Sequence, residues 1–187
     1  MDLFIQIVGF VGCGLIALSN LQKKKNNLIL MQAFGGMIFC VHYVLLGAWS
    51  GALMNGVSIL RGFAFRFLGK SRRSGAVLVA VFVPLIVACF FIGAFLLRDP
   101  AVPLDLRFIL VELLPIAAMV LATFSFAMSS AEKIRRISLI VSPMWLAYNI
   151  FHLSIGGIVC ESINLCAILV GIFVIDRRAK ARESAGK

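Results

Sequence analysis

Apolar residues in this chain come in runs of about twenty, broken at short intervals by clusters of charge, Gly or Ser. Seven runs stand out, at 3–21, 28–47, 52–68, 76–97, 106–128, 137–153 and 158–175. About 20 mostly apolar residues are what a helix needs to cross the hydrocarbon core of a bilayer. None of the runs shows the strict alternation of a barrel strand. The pattern predicts an all-α integral membrane protein with seven transmembrane helices. Two connections, 48–51 and 154–157, read as short Gly/Ser turns, and Trp49 in the first of them reads as an interfacial anchor.

Composition agrees with the pattern. Of 187 residues, 61% are hydrophobic and 14% charged, and the mean hydropathy is +1.04. Too little polar side chain remains to cover a water-facing surface, which excludes a soluble enzyme, a disulfide-stapled module and a disordered tail. Cys13, Cys40, Cys89, Cys160 and Cys166 all lie in apolar runs without metal-ligand spacing, and they read as packing residues.

The net charge of +10 changes the picture through its placement. Alternate connections hold Lys23, Lys24 and Lys25, then Lys70, Arg72 and Arg73, then Lys133, Arg135 and Arg136; the tail adds Arg177, Arg178, Lys180, Arg182 and Lys187. On the other side stand only Arg98 and Arg107, balanced by Asp99 and Asp105. Cytoplasmic loops keep the excess of Lys and Arg, so the N-terminus is expected outside and the C-terminus in the cytoplasm. Charge distributed in this way argues against nucleic acid as a partner and for the lipid bilayer. The first run is not expected to be a cleaved signal peptide, because the positive charge follows it.

Seven spans divide as three, one and three. Sliding the chain by 106 residues without gaps places Gln6 on Glu112, Gly9 on Pro115, Phe39 on Trp145 and Tyr43 on Asn149, then Gly51 on Gly157, Asn55 on Glu161 and Ser58 on Asn164. The expected organisation is a first three-helix repeat at 1–74, a linker helix at 75–105 containing Pro84, a second repeat at 106–178 and a basic tail at 179–187. The repeats are parallel, and such repeats bracket a site near the bilayer midplane and rock against each other.

Ionisable groups inside a membrane are costly and face a cavity or a partner. Here they are His42, Arg61, Glu112, His152 and Glu161. Asn55, Ser58 and Arg61 recur every three residues on one face of the third helix, and Glu161 and Asn164 repeat this on the seventh. Trp145 and Asn149 share a face of the sixth, where stacking and hydrogen bonding suit a ring-shaped solute. These positions form the expected solute site: Asn55, Ser58, Trp145, Asn149, Glu161 and Asn164. His42, Arg61, Glu112, Pro115 and His152 are candidates for coupling or gating. Each has a plainer alternative: a helix-dipole carboxylate for Glu161, a structural salt bridge for Arg61, a static bend at Pro115 and satisfied histidines. Glu112 and Glu161, withdrawn from water, are candidates for proton coupling. No His or Cys set converges at metal spacing, and no nucleotide, metal or redox cofactor is signalled. An assembly of identical copies is compatible with the pattern.

The run Trp145-Leu146-Ala147-Tyr148-Asn149 leads through Ser154-Ile155-Gly156-Gly157 to Glu161, with His42-Tyr43-Val44-Leu45-Leu46-Gly47 and Asn55 upstream. With these residues the chain resembles the YgjV family of bacterial inner-membrane proteins over nearly its whole length. That family is similar in architecture to the SWEET/PQ-loop transporters, which include sugar facilitators and nicotinamide riboside carriers. The resemblance implies two three-helix bundles around a solute site, with Trp145, Asn149, Asn55 and Asn164 as its aromatic and amide groups. The chain departs from the pattern in lacking a Pro-Gln pair, since Ile116 follows Pro115, and in placing a carboxylate at Glu161. The expected function is a carrier or facilitator of a small polar solute of sugar or nucleoside size. The alternative is a receptor of the same fold that binds without transport. No Ser/His/Asp set or catalytic carboxylate pair points to an enzyme.

Overall fold

The structure, a computed structural model, describes residues 3–45, 49–97, 103–151 and 155–185. These residues are all helical apart from the connections. The helices are α1 (Leu3–Asn20), α2 (Lys25–Leu45), α3 (Trp49–Phe67), α4 (Arg72–Phe91), α5 (Leu106–Phe126), α6 (Ala131–Phe151), α7 (Ile155–Val170) and α8 (Arg177–Ala185). A π-helical turn, Ile92–Leu96, extends α4, and a second, Gly171–Asp176, joins α7 to α8 without a break.

Four helices are long and apolar enough to cross a membrane: Lys25–Leu45, Arg72–Phe91, Leu106–Phe126 and Ile155–Ala179. A shorter apolar helix covers Ile7–Asn20. α3 and α6 fall short because they carry polar and charged residues: Asn55, Arg61 and Arg66 on one, Glu132, Lys133, Arg135 and Arg136 on the other.

Helix limits differ from the apolar runs in an instructive way. α4 starts at Arg72, capped by Ser71, whose hydroxyl accepts from the Ser74 amide while the Ser74 hydroxyl accepts from the Ser71 amide. α5 starts after Asp105, whose carboxylate accepts from the Phe108 amide at 2.7 Å. Such caps satisfy amides that the first helical turn leaves unpaired, so the helices run on into polar sequence beyond the apolar stretch. The described parts of the two expected Gly/Ser turns are helical instead. Trp49 is the first residue of α3, and Ile155, Gly156 and Gly157 open α7.

Consecutive helices pack side by side, and α7 closes on α1, so the seven form a ring. α2 also meets α6 across the ring, and α3 meets α5 beside α4. The apolar core lies where α4 wedges between α3 and α5, built from Phe65, Phe82, Ile86, Phe90, Met119 and Phe126 among others. α4 is therefore more than a connector. Elsewhere the arrangement is inverted: Ser19, Asn20, Arg61, Thr123, Ser142 and Asn149 are buried, while Phe4, Phe10, Val81, Leu106, Ile140 and Phe173 are exposed. Polar side chains turned inward and apolar ones outward are what contact with lipid requires.

Candidate functional site

The ring encloses a cavity of about 120 Å³. One water takes about 10–15 Å³ of such space, so there is room for a solute of several heavy atoms. All six side chains expected to bind solute line it: Asn55 and Ser58 from α3, Trp145 and Asn149 from α6, Glu161 and Asn164 from α7. Arg61 lines it as well. Three-residue spacing brings each stripe to one helix face, and the ring turns those faces toward each other.

Each group is held in place by a few bonds. Asn55 donates to the Gly51 carbonyl at 2.9 Å, and Asn149 to the Trp145 carbonyl at 2.9 Å, each four residues back on its own helix. Glu161 accepts at Oε2 from the Ser142 hydroxyl and, at 3.3 Å, from the Asn164 amide. Asn164 also donates to Ser142 at 3.2 Å, and its carbonyl accepts from Asn20 of α1 at 2.8 Å. One polar network therefore joins α1, α6 and α7. Arg61, only 3% exposed, donates to the Met119 carbonyl at 2.9 Å, the Thr123 hydroxyl at 3.0 Å and the Ser58 hydroxyl at 3.2 Å. Its guanidinium carbon lies 4.7 Å from the centre of the Phe126 ring.

Of the other coupling or gating candidates, His42, Glu112 and Pro115 lie apart from the cavity. His42 donates from Nδ1 to the Ile5 carbonyl at 2.8 Å, pinning α2 to α1, and it sits in a small crevice with Gly9, Phe39 and Cys160. Glu112 and Pro115 are buried in a second crevice with Trp145 and Tyr148, and Glu112 hydrogen-bonds to the Tyr148 side chain. His152 lies outside the described residues.

Several groups in and near the site carried no separate signal in the sequence. Gln32, Tyr43, Ser125, Ser138 and Ser142 line the cavity, yet single Ser, Gln or Tyr residues are common in apolar helices and carry no charge to mark them. Arg135 and Asp176 are the larger omission. They form a buried salt bridge, and Arg135 also donates to the carbonyls of Asn20 at 3.2 Å and Gln22 at 2.7 Å. This cluster ties α1, α6 and the π turn after α7 together at the end of the ring that carries the basic loops. In the sequence, Arg135 counts as one basic loop residue among many. Asp176 reaches it through a π turn, which no spacing rule foresees.

A search of curated proteins and a search of solved structures each return no match. A family model described as a bacterial inner membrane protein, Imp-YgjV, matches residues 3–179. The chain belongs to that family, and it is a multi-pass protein of the bacterial inner membrane.

Proposed function

We propose that the protein is a carrier or facilitator of a small polar solute, built like the SWEET transporters from two parallel three-helix repeats with α4 between them. The N-terminus is outside and the C-terminus cytoplasmic, as the basic loops require. The observation that carries the reading is the two-fold character of the cavity. Its lining includes Gln32 and Ser138, Gly36 and Ser142, Phe39 and Trp145, Tyr43 and Asn149, each pair 106 positions apart. Asn55 with Glu161 and Ser58 with Asn164 obey the same offset.

The two crevices beside the cavity follow it too. Gly9, Phe39, His42, Gly157 and Cys160 of one correspond to Pro115, Trp145, Tyr148, Gly51 and Met54 of the other. Apolar runs align by chance, but chance does not also place the aligned residues in equivalent cavities. A cavity lined by Asn, Ser, Arg and Glu side chains between two such bundles is the arrangement that rocking of one bundle against the other exposes to alternate sides. No step of this motion needs a cofactor or a catalytic group, so we read the protein as a carrier and not an enzyme.

The test is flux. Proteoliposomes loaded with an isotope-labelled extract of small metabolites are expected to release at least one solute, relative to protein-free vesicles. Trp145→Ala and Asn149→Ala are each expected to slow that release by about tenfold or more, the loss of one good contact to the solute. Saturable binding with no flux under any gradient would instead favour a receptor.

A further inference from the structure

Neither charged group of the cavity has a charged counterpart at the 106-residue offset. Asn55 is neutral where Glu161 is acidic. Arg61 corresponds to Ala167, which is not part of the lining. Every group that Arg61 touches is neutral: a backbone carbonyl, two hydroxyls and the Phe126 ring. Its Nε has no partner. Among the described residues no carboxylate pairs with Arg61, and no Lys or Arg pairs with Glu161. Both donors to Glu161 converge on Oε2, leaving Oε1 without one.

Arg135 provides the internal comparison. It is equally buried, yet it forms two hydrogen bonds to one carboxylate, that of Asp176. This is how the chain neutralises an arginine whose role is structural. Withdrawing a charge from water costs free energy that only an opposite charge and good hydrogen bonds offset, and Arg61 and Glu161 both lack the opposite charge while lining one cavity. Arg61 reaches back to Ser58 while Glu161 bonds Asn164, and Ser58 and Asn164 stand 106 positions apart in the same cavity wall.

We propose that the cavity binds a zwitterion of the amino-acid class, with the carboxylate of the solute on Arg61 and its ammonium group on Glu161. A neutral sugar would leave both charges unanswered. A simple anion would answer Arg61 and meet a second carboxylate at Glu161. The inference rests on reading the cavity as a solute site, and it narrows the class of solute.

The experiment measures binding to the purified, reconstituted full chain by thermal shift and equilibrium titration. The probes are the common α-amino acids, β-alanine and γ-aminobutyrate; butyrate, butylamine and xylose serve as singly charged and neutral controls. At least one zwitterion is expected to bind saturably, about tenfold or more tighter than every control. Glu161→Gln keeps the Ser142 and Asn164 contacts, and it is expected to abolish the preference for that zwitterion over its analogue lacking the amino group. Arg61→Gln is expected to abolish binding and Arg61→Lys to restore part of it; should Arg61→Gln fail to fold, Glu161→Gln decides. Xylose or butyrate binding as tightly as any zwitterion, or no zwitterion binding at all, overturns the proposal. A zwitterion that binds without flux overturns the carrier reading alone, and flux of xylose without zwitterion binding overturns this inference alone.

Discussion

Arg135→Ala is expected to lose about 3–5 kcal/mol of stability, the usual cost of removing one partner from a buried ion pair. The reason is local. Asp176, 8% exposed, would keep its charge in a site built around the guanidinium. The carbonyls of Asn20 and Gln22 would lose their donor as well, and the buried Asn20 acceptor left unpaired adds to the penalty. Space at this junction is already at its limit, since a Cβ on Gly171 would come within 2.5 Å of both Arg135 Cδ and the Asn20 carbonyl oxygen. Melting of the purified protein, followed by intrinsic fluorescence, checks the effect. Asp176→Leu combined with Arg135→Met is expected to melt well above either single substitution, because an apolar pair of similar volume avoids the desolvation cost. The cluster joins α1 to α6 and to the turn after α7 at the basic end. A carrier that opens toward that end must break it, so the double variant is also expected to spend more time open there.

Gly157→Ala is the second large effect. A Cβ at that position would lie 2.2 Å from Asn149 Oδ1, far inside contact distance, and the Asn149 side chain is buried. Overpacking of this kind costs about 1–3 kcal/mol. The amide must also leave the place where it lines the cavity, so flux is expected to fall further than stability. Adding Asn149→Ala removes the clash, and it is expected to restore the melting temperature without restoring flux. Gly51 presses on Tyr43 in the corresponding place, where a Cβ would lie 2.9 Å from the ring. These glycines are small because a side chain from the preceding helix fills the space. That also explains why they looked like turn residues in the sequence while standing inside α3 and α7.

The legible part of the site was the part written in charge and period. Asn55, Ser58 and Arg61 recur every three residues against an apolar background, as do Glu161 and Asn164, and both stripes line one cavity. The helices were legible as apolar runs, but their ends were not, because caps such as Ser71 and Asp105 carry helix into polar sequence. Groups that hold the stripes in place escaped notice for a different reason. Ser142 and Asn20 reach the site through partners on another helix, and the periodicity of one helix holds no record of its neighbour. Asp176 was hidden among basic residues, and the π turn that brings it to Arg135 shifts the helical register on which any spacing argument depends.

The central claim is that the cavity is presented to both sides of the membrane in turn. With the five native cysteines replaced, Ser58→Cys places one thiol in the cavity wall. A membrane-impermeant maleimide is then applied to right-side-out and to inside-out vesicles, and modification is followed by mass shift. The account predicts labelling from both faces in separate preparations. Labelling from one face alone, or from neither, would contradict it.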